Sequence, residues 1–464
     1  MQLKRRPGLR KRLRSFFSFV SATIHVTSTR SFLNSLSKER WTGLGGLARK
    51  GIMKLTGFVF TLLTTVLLGE QVGPWDLDSL KNSVPAMHWV SQERPVWSLL
   101  YNGEIYRGGQ TEVFAFYASP MTLGLAQSGQ KFPGVVLIHG GGGTAFAEWA
   151  YLWAKRGYAA IAMDLAGMRP PDPEWDESGA FKRADQSEKS RTKLENGGPN
   201  HSHAEKFDSI GGDFSDDWPF HAVASVMRAH SLLRSFSEVD AEHTAVTGIS
   251  WGGYTTCLVA SLDDRFKAAV PVYGCGFLHE GESVQKPSID KLAERRMDWV
   301  REYDPGSHLH RCKVPLLFVN GTNDVHYVLD SYMKSYAVVP GEKQIRIQVK
   351  MPHGHSAGWA PDEIGWFIDS KCKGGESLPV PGKPRVDGDR VLLHCASKTM
   401  LKEARLHYTV DSGVRSKREW VTVPGVIEGE DISVQKPPTE ANTWFLSVTD
   451  ARGAMVSTEV VFNP

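Results

Sequence analysis

The chain has 464 residues, 41% of them apolar and 23% charged, which suits a soluble globular protein long enough for two or three domains. Its formal charge of +3 conceals an asymmetry: residues 1–69 hold thirteen Lys/Arg and one acidic residue, Glu39, leaving 41 basic against 50 acidic residues beyond. A mildly acidic body gives no electrostatic reason to expect nucleic-acid binding. Five cysteines, odd in number and none at C-x-x-C spacing, read for the most part as buried free thiols, with one bridge open in an exported protein, rather than as a disulfide framework or a metal site.

Residues 1–70 read as a basic leader followed by an apolar segment. The cluster Lys4, Arg5, Arg6, Arg10, Lys11, Arg12 and Arg14 precedes Met53-Lys54 and the run 55–68, which has the length of a signal-peptide core and is short for a membrane span. This predicts an exported protein, periplasmic or secreted, with translation starting at Met53 or after a long leader. Because Leu67-Leu68-Gly69 is a poor cleavage site, an uncleaved anchor through 55–68 and transient membrane association stay open.

Residues 71–131 are rich in tryptophan and turns. Alternation over 112–116, after the Gly108-Gly109 turn signal, predicts a β-rich N-terminal extension. A strand at 134–139, a helix at 145–156 and a strand at 159–164 then form a strand–helix–strand unit. Residues 165–216 are an insertion, polar and Pro/Gly-rich. In it His201 and His203 read as solvated, and Asp213, Asp216 and Asp217 as caps for the next helix. A helix at 217–233 and the strand before Ser250 follow, then a strand at 266–272. A second insertion at 274–310 carries a helical run over 289–303. Strand 314–320, helix 328–336, strand 344–350 and helix 361–369 complete a body spanning 132–373. Residues 374–384 read as a linker. Strands at 391–394, 404–410, 420–423, 444–448 and 455–462 predict a small β-sandwich-like domain over 385–464. The fold class is therefore α/β, a mostly parallel central sheet flanked by helices, with a C-terminal all-β domain.

The chemistry centres on Gly248-Ile249-Ser250-Trp251-Gly252, a G-x-S-x-G on a strand-to-helix turn. A serine hydroxyl attacks a carbonyl usefully only if a base takes its proton and a third group orients that base. Asp324, in the turn Gly321-Thr322-Asn323-Asp324 beyond a strand, supplies the acid. Met351-Pro352-His353-Gly354-His355, beyond the next strand, supplies the base: His355 is preferred, with His353 the alternative. The glycine run after His139 lets backbone approach an oxyanion, so Gly141 or Gly142 joins the N–H of Trp251 as donor. The run lacks the Gly-Lys-Ser/Thr ending of a nucleotide loop, and the H-x-H pair lacks further ligands at metal spacing. Trp218, Trp299 and Trp359 read as core.

With these elements in place, residues 134–371 resemble the α/β-hydrolase superfamily, within it the dienelactone hydrolase, acetyl xylan esterase and prolyl oligopeptidase catalytic-domain group. The resemblance implies Ser250 as nucleophile, Asp324 as orienting acid, His355 as base, and no cofactor. Ser-Trp-Gly-Gly-Tyr is similar to the prolyl oligopeptidase elbow, but residues 71–131 are too few for the large domain that precedes it in those peptidases. The expected activity is hydrolysis of short acyl esters, acetyl groups on a polysaccharide in particular. A serine peptidase is the alternative, and a non-catalytic binding protein on a hydrolase scaffold a third reading.

Overall fold

Val135, Val136, Leu137 and Ile138 are all buried, as are Ala159 to Met163, so these strands are covered on both faces by other layers. The computed structural model describes residues 71–177, 181–182 and 190–463. The leader and its apolar run at 55–68 lie outside the described residues. Among those described, no helix is long and apolar enough to cross a membrane.

Nine strands form the central sheet: β1 (Met87–Ser91), β2 (Trp97–Tyr106), β3 (Gly109–Ala118), β4 (Phe132–Ile138), β5 (Ala159–Met163), β6 (Val239–Ile249), β7 (Ala268–Val272), β8 (Leu316–Gly321) and β9 (Lys343–Gln348). Their order is β9-β8-β7-β6-β4-β5-β3-β2-β1. The six strands from β9 to β5 are parallel, and β3, β2 and β1 add on antiparallel to them. The N-terminal extension is thus part of the sheet itself. Arg107 and Gly108, both at positive φ, turn β2 into β3.

The helices that matter for the site are α1 (Ala147–Lys155), α2 (Trp218–Ser235), α3 (Trp251–Leu262), α4 (Arg296–Tyr303), α5 (Leu329–Val338), α6 (His355–Trp359) and α7 (Asp362–Cys372). The expected helix over 289–303 is broken. A short helix (Lys286–Asp290) ends, Ala293 takes φ 53°, and α4 restarts at Arg296, because a left-handed residue cannot continue the i→i−4 ladder. This insertion is tied to the body: the buried Asp304 carboxylate accepts the N–H groups of Phe277 (2.6 Å), Leu278 (2.8 Å) and Gly306 (2.7 Å). Tyr254 of α3 donates to the Tyr303 carbonyl at 2.6 Å, and the Tyr303 hydroxyl donates to Asp217 Oδ2 at 2.6 Å. Asp217 therefore makes no side-chain bond capping α2, whereas Asp213 accepts from Ser215 N.

The C-terminal strands form two five-stranded antiparallel sheets, one built on Arg390–Ala396 and Asp431–Gln435, the other on Leu401–Thr409 and Thr443–Asp450. Val380–Pro381, inside the expected linker, pairs with Cys395 and Ala396 in the first. The expected strand over 455–462 is two, Met455–Ser457 and Val461–Phe462, each pairing with a different part of Thr443–Asp450. Ser457 joins the halves: its hydroxyl accepts from Ile347 N of β9 at 3.0 Å and donates to Ile347 O at 3.3 Å. Beside it Met455 N donates to Glu363 Oε1 at 2.9 Å, and the Glu363 carboxylate holds Arg346 at 3.0 Å in a buried ion pair.

Candidate active site

β6 ends at Ile249 and α3 begins at Trp251, so Ser250 makes the whole turn, at φ 59° and ψ −116°. A non-glycine residue there stores about 1–3 kcal/mol and persists only if its neighbours over-determine it. They do: Ser250 N donates to Val272 O at 2.8 Å, and Ser250 O accepts from Tyr254 N at 2.8 Å. Gly252 lets α3 pass against β4, since a Cβ there would collide with the carbonyl oxygen of Ile138. The serine hydroxyl is left at a helix N-terminus on the C-terminal edge of the parallel strands.

The ends of β8 and β9, beyond the intervening β7, bring its partners. Asp324 follows β8 and is buried; its Oδ1 accepts from His326 N (2.8 Å) and Tyr327 N (2.9 Å), which fixes the carboxylate. Its Oδ2 accepts from His353 Nδ1 at 2.6 Å, and the Ser250 hydroxyl donates to His353 Nε2 at 3.0 Å. With Nδ1–H committed to the carboxylate, Nε2 is the open lone pair, and a proton can pass from oxygen to nitrogen along this series. Tyr273 stacks on the His353 ring at 4.5 Å while its hydroxyl donates to Pro352 O at 2.6 Å, so the ring has a wall behind it.

The structure puts His353, not His355, between Asp324 and Ser250. His355 is the first residue of α6, and helical side chains point back toward the N-terminus, here to the other side of the serine. Its Nε2 accepts from Gly140 N at 2.9 Å. Burial, then the nearby His139 and His353, push its pKa down to about 3, so the ring is neutral and its Nε2 stays an acceptor. His139 completes that wall: its Nε2 accepts from Leu165 N at 2.9 Å, its Nδ1 donates to Gly140 O at 2.8 Å, and burial lowers its pKa. The glycine loop is held on both sides of Gly140. Gly141 lies against the Trp251 ring, where a Cβ would stand 3.0 Å from Cδ1, and Gly142 takes φ 70°. The H-x-H pair is divided between two partners, and among the described residues no cluster of three His, Cys, Asp or Glu is arranged to hold a metal ion.

Two family models match the chain. The acetyl xylan esterase (AXE1) family model covers residues 89–285, and the prolyl oligopeptidase family model covers 205–367. Between them they span the glycine loop, the Ser250 elbow, the Asp324 turn and the His353 loop. The chain is an α/β-hydrolase. It is accordingly a hydrolytic enzyme. Among solved structures the hydrolase is similar to an acetyl xylan esterase from Paenibacillus sp. R4, at 20% identity over 66% of this chain and 97% of that one, TM-score 0.48. It is also similar to acetyl xylan esterase 1 from Thermoanaerobacterium sp. JW/SL YS485, at 17% identity over 65% and 95%, TM-score 0.44. The acylaminoacyl peptidase of Pyrococcus horikoshii shares 20% identity over 61% of this chain and 42% of that one, TM-score 0.43. A comparison with curated proteins returned no match.

Sequence reasoning missed several residues of the hydrolase that bear on this site. Tyr273, at φ 56° after β7, gave no signal beyond its place at a strand end. Asn323, beside the acid, was read only as turn. His201 is not a solvated loop residue: it packs edge-on to Trp218 at 5.0 Å, and burial drives its pKa down to about 2. Trp218 and Trp299 are core, as their type suggested, while Trp359 is half-buried against Phe146 at 5.3 Å. All five cysteines are buried free thiols.

Proposed function

We propose that this hydrolase is an exported serine carboxylic-ester hydrolase acting on short acyl esters, acetyl groups on a carbohydrate foremost. The observation that carries the reading is the hydrogen-bonded series Ser250–His353–Asp324, with separations of 3.0 and 2.6 Å. In the proposed reaction Ser250 Oγ attacks the acyl carbonyl as His353 Nε2 takes its proton. Asp324 keeps the imidazole in the receptive tautomer and stabilises the imidazolium. The N–H of Trp251, at the start of α3, and that of Gly141 or Gly142 meet the oxyanion, where each donor contributes about 10²–10³ in rate. Collapse expels the alcohol with the proton from His353, and water then repeats the sequence on the acyl-enzyme.

Support for an ester substrate comes from the reach of the acetyl xylan esterase family model. It starts at residue 89, inside β1, and so includes the antiparallel strands of the main sheet. A peptidase is the second reading, because the prolyl oligopeptidase family model covers the elbow, acid turn and base loop. Export rests on the apolar run at 55–68, and fractionation of the expressing cell tests it.

The deciving comparison is hydrolysis of p-nitrophenyl acetate, acetylated xylan and a Xaa-Pro peptide by the wild type and Ser250→Ala. Acetate release that disappears in the variant is the expected result. Peptide cleavage without ester preference would move the protein to the peptidase reading. A folded protein whose Ser250 ignores all three substrates and a fluorophosphonate would leave a binding protein.

A further inference from the structure

The turn that carries Asp324 is not supported by the α/β body alone. Asn323 directs both hydrogens of its side-chain amide into the C-terminal β region, donating to Ser416 O at 2.8 Å and Arg418 O at 3.0 Å. The Asn323 Oδ1 accepts from the Thr322 hydroxyl, which in turn accepts from Lys350 N at 3.0 Å. Lys350 stands three residues before His353, at φ 54°, and its ammonium pairs with Glu419. One segment, residues 411–419, therefore touches the acid turn and the start of the base loop together. We propose that this segment is a positioning element for the triad, setting the acid turn through Asn323, so that the C-terminal β region belongs to the catalytic unit.

The segment is built to hold a position. Asp411 Oδ2 accepts from Glu419 N at 2.7 Å, closing it into a loop. Arg418 threads that loop, donating to Gly413 O at 3.0 Å, Asn442 Oδ1 at 3.0 Å and Thr443 Oγ1 at 3.1 Å, which anchors it to the strand Thr443–Asp450. Its far side is also fastened to the body: Arg415 N donates to Glu282 Oε2 at 2.8 Å, and the Arg415 guanidinium faces Asp330 of α5 at 3.6 Å. A surface cover would need neither this anchoring nor the two bonds by which the segment holds Asn323, the residue preceding Asp324. A catalytic carboxylate misplaced by about 1 Å can cost on the order of 10² in rate, so a clamp one residue away has leverage.

The inference rests on the Ser250–His353–Asp324 reading, and its test separates the two. In the full chain, Asn323→Ala is expected to lower kcat on p-nitrophenyl acetate about tenfold with KM within twofold. Fluorophosphonate labelling of Ser250 should slow in parallel, at an unchanged circular-dichroism spectrum. Asn323→Gln, which keeps the amide, should recover part of the loss. Arg418→Ala should lower kcat in the same sense, and the double variant should be no worse than Asn323→Ala, as for two residues acting through one contact. Wild-type kcat in both single variants would overturn the inference, as would a loss explained wholly by a smaller folded fraction. Full activity in Ser250→Ala would overturn the triad reading and the inference with it.

Discussion

His353 and His355 are two residues apart and face opposite walls of one site. His353 lies in the irregular loop after β9 and reaches Asp324 and Ser250. His355 opens α6 and receives the Gly140 N–H. The two positions therefore separate by kinetics. His353→Ala should lower kcat by about 10⁴ or more, the scale of losing a triad base. His355→Ala removes an acceptor for the glycine loop and a ring packed on Phe146, but no partner of Ser250, so a loss of about 10–100-fold is expected, with Ser250 still labelled by a fluorophosphonate. Equal losses in the two variants would contradict this division of labour. With its pKa near 3, His355 should also contribute no limb to the pH–rate profile between pH 5 and 8.

At the scale of elements, the elbow between β6 and α3 is a tightly constrained joint. Its strain at Ser250 is sustained by close contact of α3 with β4, and Gly252 is where that contact has no room for a Cβ. Gly252→Ala must push α3 off the sheet. A stability loss of about 1–3 kcal/mol is expected, read as a lower urea midpoint at unchanged m, together with a fall in kcat. A variant with wild-type midpoint and rate would show that the helix can slide at no cost. The flanking elements obey the same logic: β7 supplies the carbonyl that Ser250 N needs, and the β8 and β9 ends deliver Asp324 and His353 to one edge.

For the whole molecule, the notable feature is how many histidines are buried neutral. Burial lowers the pKa of His139, His221, His230 and His308, and brings His201 to about 2, His355 to about 3 and His407 to about 4. The unfolded chain takes up these protons below about pH 6.5 while the folded chain refuses them. Their stabilising effect is thus complete above pH 6.5 and is lost as pH falls toward the folded values. Each contributes at most about 1.4 kcal/mol per pH unit in that window, less for the partly exposed His201 and His355. The urea midpoint should hold level from pH 7.5 to about pH 6.5 and then drop toward pH 5. A midpoint constant over that range would mean these histidines titrate alike in both states.

The primary structure by itself carried a good deal. Continuous apolar runs between helical patterns dictate a parallel sheet, and G-x-S-x-G on a strand-to-helix turn dictates where the serine stands, because both follow from local periodicity and backbone sterics. The placing of Ser250, Asp324 and the 351–355 loop beyond three strand ends, in that order along the chain, was legible for the same reason. Local chemistry could not choose between His353 and His355, since the choice depends on where α6 starts and which wall each ring meets. Nor could it show that Asn323 reaches Ser416 and Arg418, about ninety residues away, or that residues 87–118 join the main sheet. Those contacts are made by groups distant in the chain. Only packing the C-terminal sheets against β9, and the hairpin against β5, brings them within hydrogen-bonding distance.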